Sequence, residues 1–458
     1  MAFAWQGNGI TVIKNTFLNN GAWLSSGLVI QGAYRVNIDQ NIFKNGTAFT
    51  TDAWSSPHWR DSPVFSLLNY TSDSSLSAYE PFISHIAQSP LWIKMADQIS
   101  ITNCVFDGNK ASAYGSYWLG SAITLGRVIG MNTPVIQNCT FQNHRGLWNA
   151  SSDLTVEQAY NDYQDAFFTQ NSLPLITVNF YDGEYELNYT NNPRTSAEYY
   201  ENYIANTTIL IDSCTFSNNL FNQTSSNSES YWSRFSLYVN HSFIVKGFLL
   251  SETVEYSPWS TPERLLQTRF YNYYNLIGSP IQKKLLTIQN SKFFNNSLYS
   301  PQPLLSNTIF DTVNMNNCSF SNNFVLTRDD SSVMQANSAM FLIRDNNMYR
   351  QYRTYQQMVL SNVVFTNNIG PIFFSNYSMK TSTCSQDASL SFASLENITI
   401  VTHRSLYPTF YFESTFNVLW NNVFMSNIST KTSAVAFRNV SNIQVTGLNI
   451  SGFNNLRY

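Results

Sequence analysis

Charge is what this chain has least of. Of its 458 residues, 25 are Lys or Arg and 28 are Asp or Glu, a charged fraction of 12%. That is about half the roughly 25% usual in globular proteins. So few cations, with a net charge of −3, cannot track a phosphate backbone, so nucleic acid is not an expected partner. No run approaches 18 consecutive apolar residues, so no membrane span is expected. The opening residues, MAFAWQGNGITVIKNTF, lack a basic stretch followed by an apolar one and do not read as a signal peptide.

Amides and hydroxyls take the place of charge: 55 Asn, 57 Ser and 37 Thr. A bias towards AT-rich codons would raise Lys together with Asn, yet Lys numbers only 10. The Asn excess therefore needs a structural reason. Aromatics reach 15%, enough Phe, Tyr and Trp to fill a core and to argue against disorder.

That reason is an internal repeat. ISITNCVFDGN (to Asn109), PVIQNCTFQN (to Asn143), TILIDSCTFSNN (to Asn219), LTIQNSKFFNN (to Asn296), TVNMNNCSFSNN (to Asn323) and MVLSNVVFTNN (to Asn368) share one template. It runs apolar, any, Asn, Cys or small, any, Phe, any, Asn, Asn. Weaker copies end at Asn20, Asn45, His403, Asn427 and Val445. Aligned on Phe, the anchors are residues 17, 43, 106, 141, 216, 293, 320 and 365, then Ile400, Phe424 and Val445.

Period-two spacing marks strands with one buried face. Ile99 and Ile101 share a face, as do Cys104 and Phe106, but the phase slips by one residue at Asn103. One straight strand cannot bury both pairs. A corner at Asn103 can, because Asn tolerates the left-handed backbone. Further strands precede several copies, as in PLWIKM, SAITLG, LITVNF, AMFLI, PIFF and TFYF. Three short strands per unit of about 25 residues predict an all-β parallel β-helix, with coils stacked about 4.8 Å apart. Like residues then form columns. An amide ladder is expected at Asn103, Asn138, Asn290, Asn317, Asn362, Asn397 and Asn421, buried in the stack, with a core column at Cys104, Cys139, Cys214 and Cys318. A leucine-rich repeat would show Leu at fixed positions, and a propeller would need blades of similar length, whereas the steps here run from 21 to 77 residues.

These motifs resemble the right-handed parallel β-helix of the pectin-lyase-like superfamily. They are particularly similar to the Asn-Cys-x-Phe-x-x-Asn repeats of polymorphic outer-membrane-type and protist surface proteins. The resemblance covers most of the chain and implies a solenoid architecture; it implies no single activity, because enzymes, adhesins and filament proteins share this fold.

The reading is one solenoid over 1–458 with insertions at about 47–90, 145–205 and 221–284. Both ends fall within repeats, so a piece of a longer chain is expected. In the second insertion, Val156, Tyr160, Tyr163 and Phe167 follow Asp153 at helical spacing and predict a short helix. Trp232 and Trp259 are candidate sugar platforms or simple anchors of the third insertion.

Little reads as catalytic. The cysteine spacing fits no zinc site, the five His are scattered, and five Cys leave at least one unpaired within the chain. Neighbours in the Cys column would stand one stacking step apart, within disulfide range but pointing the same way, so buried thiols acting as small apolar residues are expected, with disulfides as the alternative. Asp329–Asp330 is either a catalytic or Ca²⁺ pair or, as expected here, a solvated corner loop, and the acidic group around Asp162, Asp165, Glu184 and Glu186 could bind Ca²⁺ but lacks EF-hand spacing. No catalytic residue, metal or cofactor is assigned. Fifteen Asn-x-Ser/Thr sequons occur. Those at Asn138, Asn317 and Asn397 fall in the ladder and are expected to be buried and unmodified. Those at Asn45, Asn69, Asn149, Asn188, Asn206, Asn222, Asn240, Asn295, Asn376, Asn427, Asn439 and Asn449 are candidate N-glycan acceptors. The functional expectation is a non-enzymatic extracellular or cell-surface glycoprotein, a structural or adhesive rod that associates end to end. The alternative is a carbohydrate-active or carbohydrate-binding β-helix.

Overall fold

The computed structural model describes residues 2–22, 26–49, 90–113, 122–128, 133–148, 175–180, 208–223, 250–254, 285–298, 304–307, 312–325, 339–344, 356–376, 391–413, 415 and 417–455. The helix expected after Asp153, the acidic group, Asp329–Asp330, Cys384, Trp232 and Trp259 lie outside them.

Every strand pairing among the described residues is parallel, and each strand pairs with its equivalent one repeat away. This is a parallel β-helix. One coil shows the plan. Ile123–Val128 forms a first wall, Val135–Gln137 a second, and Thr140–Gln142 a third. A fourth short strand, Arg145–Trp148, follows and belongs to a separate seven-stranded sheet. Three strands per coil were expected, and the fourth comes from the residues just after the repeat, whose sequence carries no alternation to announce it.

The Phe anchors stack directly. Phe43 pairs with Phe106, Phe141 with Phe216, and Phe216 with Phe293. The long steps in sequence are thus single coils with long excursions, not missed repeats. The intervening sequence enters at two points of the coil: between the fourth strand and the next first wall, and between the first and second walls. The second wall contributes its own inward column, Ile38, Ile101, Ile136, Ile211, Ile288, Met315, Leu360, Leu395 and Trp420.

Register corrects two anchors. Ile400 pairs with Met425, and Met425 with Ile450. Phe424 and Val445 are therefore not members of the Phe column. Phe424 points outwards at 39% exposure, and Val445 stacks on Trp420. The nearest aromatic lies one residue off the inward position of this coil, and in a strand one residue reverses the face.

Eight phenyl rings, from Phe17 through Phe365, stack along the interior. Successive centroids lie 4.8, 4.9, 5.1, 4.8, 4.8, 4.4 and 5.1 Å apart. Free aromatic pairs prefer offset or edge-on geometry. Here the backbone ladder sets the spacing, and planes within 18° of parallel are the consequence. Where the column turns aliphatic at Ile400, the first wall takes over the bulk, through Phe341, Phe373, Phe410 and Phe412, with Trp420 from the second. Phe341 meets Phe320 edge-on at 5.1 Å.

Both corners flanking the third wall are left-handed. The first holds Lys14, Gln40, Asn103, Asn138, Ser213, Asn290, Asn317, Asn362, Asn397 and Asn422, with φ between 51° and 60°. Asn422, not Asn421, thus occupies the corner of its coil; Asn421 lies in the strand opposite Glu396. The second corner holds Asn19, Asn45, Asn143, Asn218, Asn295, Asn322, Asn367, Thr402 and Asn427, with Gly at 108 and 452. Asn and Gly bear this backbone at least cost. Thr402, at φ 51°, is β-branched and strained there. Thr402→Asn is expected to stabilise the protein by roughly 1 kcal/mol. A guanidinium titration checks this; an unchanged or lowered midpoint contradicts the account of the corner.

Candidate functional site

Among the described residues, no three His, Cys, Asp or Glu side chains come together to hold a metal ion. The polar groups form columns instead, and each follows from a place in the repeat.

The first-corner asparagines face solvent. Asn138, Asn317 and Asn397 are exposed, contrary to the burial expected of them. A left-handed residue at an outside corner throws its side chain away from the interior. The ladder there is real but superficial. Asn317 Nδ2 donates to Asn290 Oδ1 at 2.8 Å, Asn397 to Asn362 at 3.0 Å, and Asn422 to Asn397 at 3.2 Å. Asn138 reaches Asn103 at 3.4 Å. Where the chain offers a carboxylate, it takes the acceptor role. Asn103 donates to Asp39 at 2.8 Å and Asn290 to Asp212 at 2.9 Å.

The buried amide column is a different one, the last Asn of the template. Asn109, Asn219, Asn296, Asn323 and Asn368 are at most 1% exposed. Each of the middle members is held from both sides. Asn296 donates its backbone N–H to Asn323 Oδ1 at 3.1 Å and its Nδ2 to the same oxygen at 3.0 Å. The second Nδ2 proton goes to the Phe216 carbonyl at 3.0 Å. Asn323 repeats this with Asn368 and the Phe293 carbonyl. Each amide thus spans three coils and satisfies groups that would otherwise be orphaned inside the bore. The sequence motif contains this column, since Asn-Asn ends five of the copies, but the phase slip marks only the first corner.

Two histidines enter the same column. His144 keeps the pattern: its N–H donates to Asn219 Oδ1 at 3.1 Å and its Nε2 bonds the Phe106 carbonyl at 3.1 Å. His403 does not. It is fully buried, and its ring nitrogens lie near backbone groups of Asn368 and Gly370, close enough to interact but outside good hydrogen-bond geometry. Burial lowers its pKa to about 3, so the ring is neutral.

Cys104, Cys139, Cys214 and Cys318 are buried and free. They are more than small apolar residues. Each thiol donates to the carbonyl two residues back, at 3.1 Å in Cys104 and 3.3 Å in the others. Asn41 and Ser291 do the same in their coils, at 3.0 and 2.8 Å. The position selects a small donor that caps the carbonyl where the chain turns. Burial pushes the Cys318 thiol up to about 11, so it stays protonated and unreactive near neutrality.

Hydrogen bonds from Asn103 and Thr102 hold the Asp39 carboxyl below its usual range. Burial would raise Asp107 and Asp212. Bonds from Asn143 and Lys44 to the first, and from Asn290, Gln137 and Ser213 to the second, outweigh it and lower both. Lys44 Nζ lies 3.0 Å from Asp107 Oδ2.

Of the candidate glycan acceptors, Asn45, Asn295, Asn427 and Asn439 are exposed at left-handed positions. Asn449 is exposed in the strand Asn449–Ser451. Asn222 and Asn376 lie in the strands Leu220–Gln223 and Phe373–Asn376. Asn69, Asn149, Asn188, Asn206 and Asn240 lie outside the described residues. No protein-family model matches the chain, and no curated protein matches it.

Removing the Asn323 amide leaves the Asn296 donors and the Phe293 carbonyl below, and Asn368 Oδ1 above, without that partner. Asn323→Ala is expected to destabilise the protein by about 3 kcal/mol or more, measured by chemical denaturation; a loss below about 1 kcal/mol would show the column to be dispensable. His403 gives a pH prediction. Its folded pKa is about 3 against 6.5 ordinarily, so the unfolded chain binds more protons between those values. Stability is full above pH 6.5 and falls as pH drops, by up to about 1.4 kcal/mol per pH unit. His403→Asn is expected to flatten this slope between pH 6.5 and about 4.5, above the carboxylate range. Equal slopes in denaturation midpoint for the two proteins would contradict it.

Proposed function

We propose that this chain is a non-enzymatic structural or adhesive glycoprotein of the extracellular space or cell surface. It serves as a β-helix rod that joins end to end with other copies or with other segments of the same coat. The observation that carries this reading is the parallel stack itself: each described coil pairs in register on the next, like residue over like. A parallel coil is a template for another coil of the same kind, from the same chain or from a second one.

The resemblance of the repeat to the right-handed β-helices of the pectin-lyase-like superfamily, and to repeats of polymorphic outer-membrane-type and protist surface proteins, supports the same reading. So do the exposed sequons at Asn45, Asn295, Asn427, Asn439 and Asn449, which suit N-glycans on a rod surface.

Eleven coils, centred on Phe17 to Ile450, give a described stack about 50 Å long at 4.8 Å per coil. Electron microscopy of the native material is expected to show rods joined at their ends. Particles that stay single at every concentration would remove the self-association. Glycopeptide mass spectrometry is expected to find sugar on several of the exposed sequons; bare Asn at all of them would remove the glycoprotein.

A further inference from the structure

Three buried side-chain atoms without a hydrogen-bond partner, Thr409 Oγ1, Trp420 Nε1 and Thr430 Oγ1, fall within two successive coils, and His403 joins them, its ring nitrogens near backbone groups of Asn368 and Gly370 but outside good hydrogen-bond geometry. Their residues are at most 1% exposed. Topology brings these groups together. His403 and Ser405 alternate on the inward face of one strand, Ser391–Ser405. Thr430 stacks directly on Ser405 in the next coil. Thr409 opens the following first wall after a short turn, in which the Tyr407 N–H donates to Ser405 Oγ at 3.2 Å. Phe410, next to Thr409, packs edge-on against the Trp420 indole at 5.2 Å.

In the coils below, this part of the bore holds Asn323 and Asn368, whose amides bond one another, and Leu298 and Val325, which are apolar. In the coils of Ile400 and Met425 the amide is replaced first by His403 and then by Ile428, while the apolar column turns to Ser405 and Thr430. The ladder stops, yet polar groups persist. A buried polar group left unpaired costs about 1–3 kcal/mol, and that cost recurring within two successive coils is not a stable arrangement unless something answers these groups.

We propose that this stretch of the bore binds internal water, on the order of one or two molecules, bridging His403, Thr409 and Thr430 where the asparagine ladder ends. Water fits the inventory. It accepts from the Trp420 N–H and the Thr hydroxyls, and it both donates to and accepts from a neutral imidazole. An anion would suit the donors but would need a buried countercharge. His403 is neutral, and the adjacent cation, Arg404, is exposed on the outer face. Water thus takes over the role that the Asn amide plays in the coils below.

High-resolution diffraction from the intact chain tests the site, with a bromide-soaked crystal alongside. Ordered water within hydrogen-bond distance of at least two of the three residues is the expected result. Anomalous bromide density there makes it an anion site, and density showing the three side chains bonded only to protein makes it dry; either overturns the proposal. Thr430→Val reads the same question in solution. Deleting a hydroxyl that holds water is expected to lower the unfolding midpoint. A raised midpoint means that the hydroxyl was an orphan, and the proposal fails.

Discussion

Parallel pairing of each coil on the next places every side chain above its equivalent, and that constraint governs the composition of the chain. Two like charges about 4.8 Å apart repel by about 0.9 kcal/mol even in bulk water, and by several times more near a protein surface. A column of lysines or carboxylates would accumulate that cost at each step. An amide carries donor and acceptor together, so a column of Asn is attractive along its whole length. The chain's 12% charge and 55 Asn are two faces of one rule. The exceptions obey it as well: Asp39, Asp107 and Asp212 each sit below an Asn that donates to them, so no carboxylate needs to face another.

Asparagine serves this fold in two physically distinct ways. At the corners its tolerance of positive φ lets the chain turn, and the exposed ladder is a small addition made in competition with solvent. Inside the bore the backbone role disappears. Asn219, Asn296, Asn323 and Asn368 carry none of the positive φ values, and they are retained for the three bonds that each amide can make. Register depends on the interior set. A slip of one residue would set each buried amide and each Phe ring against a neighbouring outward position of the next coil, as Asn323 against Asn367 or Ile369 and Phe320 against Val364 or Thr366, whereas the surface ladder could re-form after a slip at little cost.

Much of this was legible because period-two patterns, a Phe anchor and a phase slip at Asn103 each imply a geometry. The stacked Phe rings, the first-wall strands and the left-handed corner follow directly. Burial of the corner amides did not follow, because periodicity shows that the chain turns without showing which side of the turn its side chain takes. The thiol-to-carbonyl bonds of the Cys column were hidden for another reason: Cys reads as apolar by composition, and only the appearance of Asn41 and Ser291 in the same position betrays a donor. At Phe424 and Met425, two apolar neighbours compete for one inward place, and aromatic identity proved a poorer guide than the pairing of Ile400 with Met425.

In a stack of this kind each coil contacts only its neighbours, so stability is a sum of coil and interface contributions, and the least favourable interface sets local weakness. Three columns change between the coils of Phe365 and Met425. The phenyl stack gives way to Ile400 and Met425, the amide ladder to His403 and Ile428, and the small-donor position to Val363, Ile398 and Val423. Aromatic bulk is restored by Phe373, Phe410, Phe412 and Trp420 from other walls, which preserves packing density. The hydrogen bonds are not restored by protein groups in the same way. Continuity of the columns holds each coil to the next, so the stretch where all three change within two successive coils is where local opening costs least.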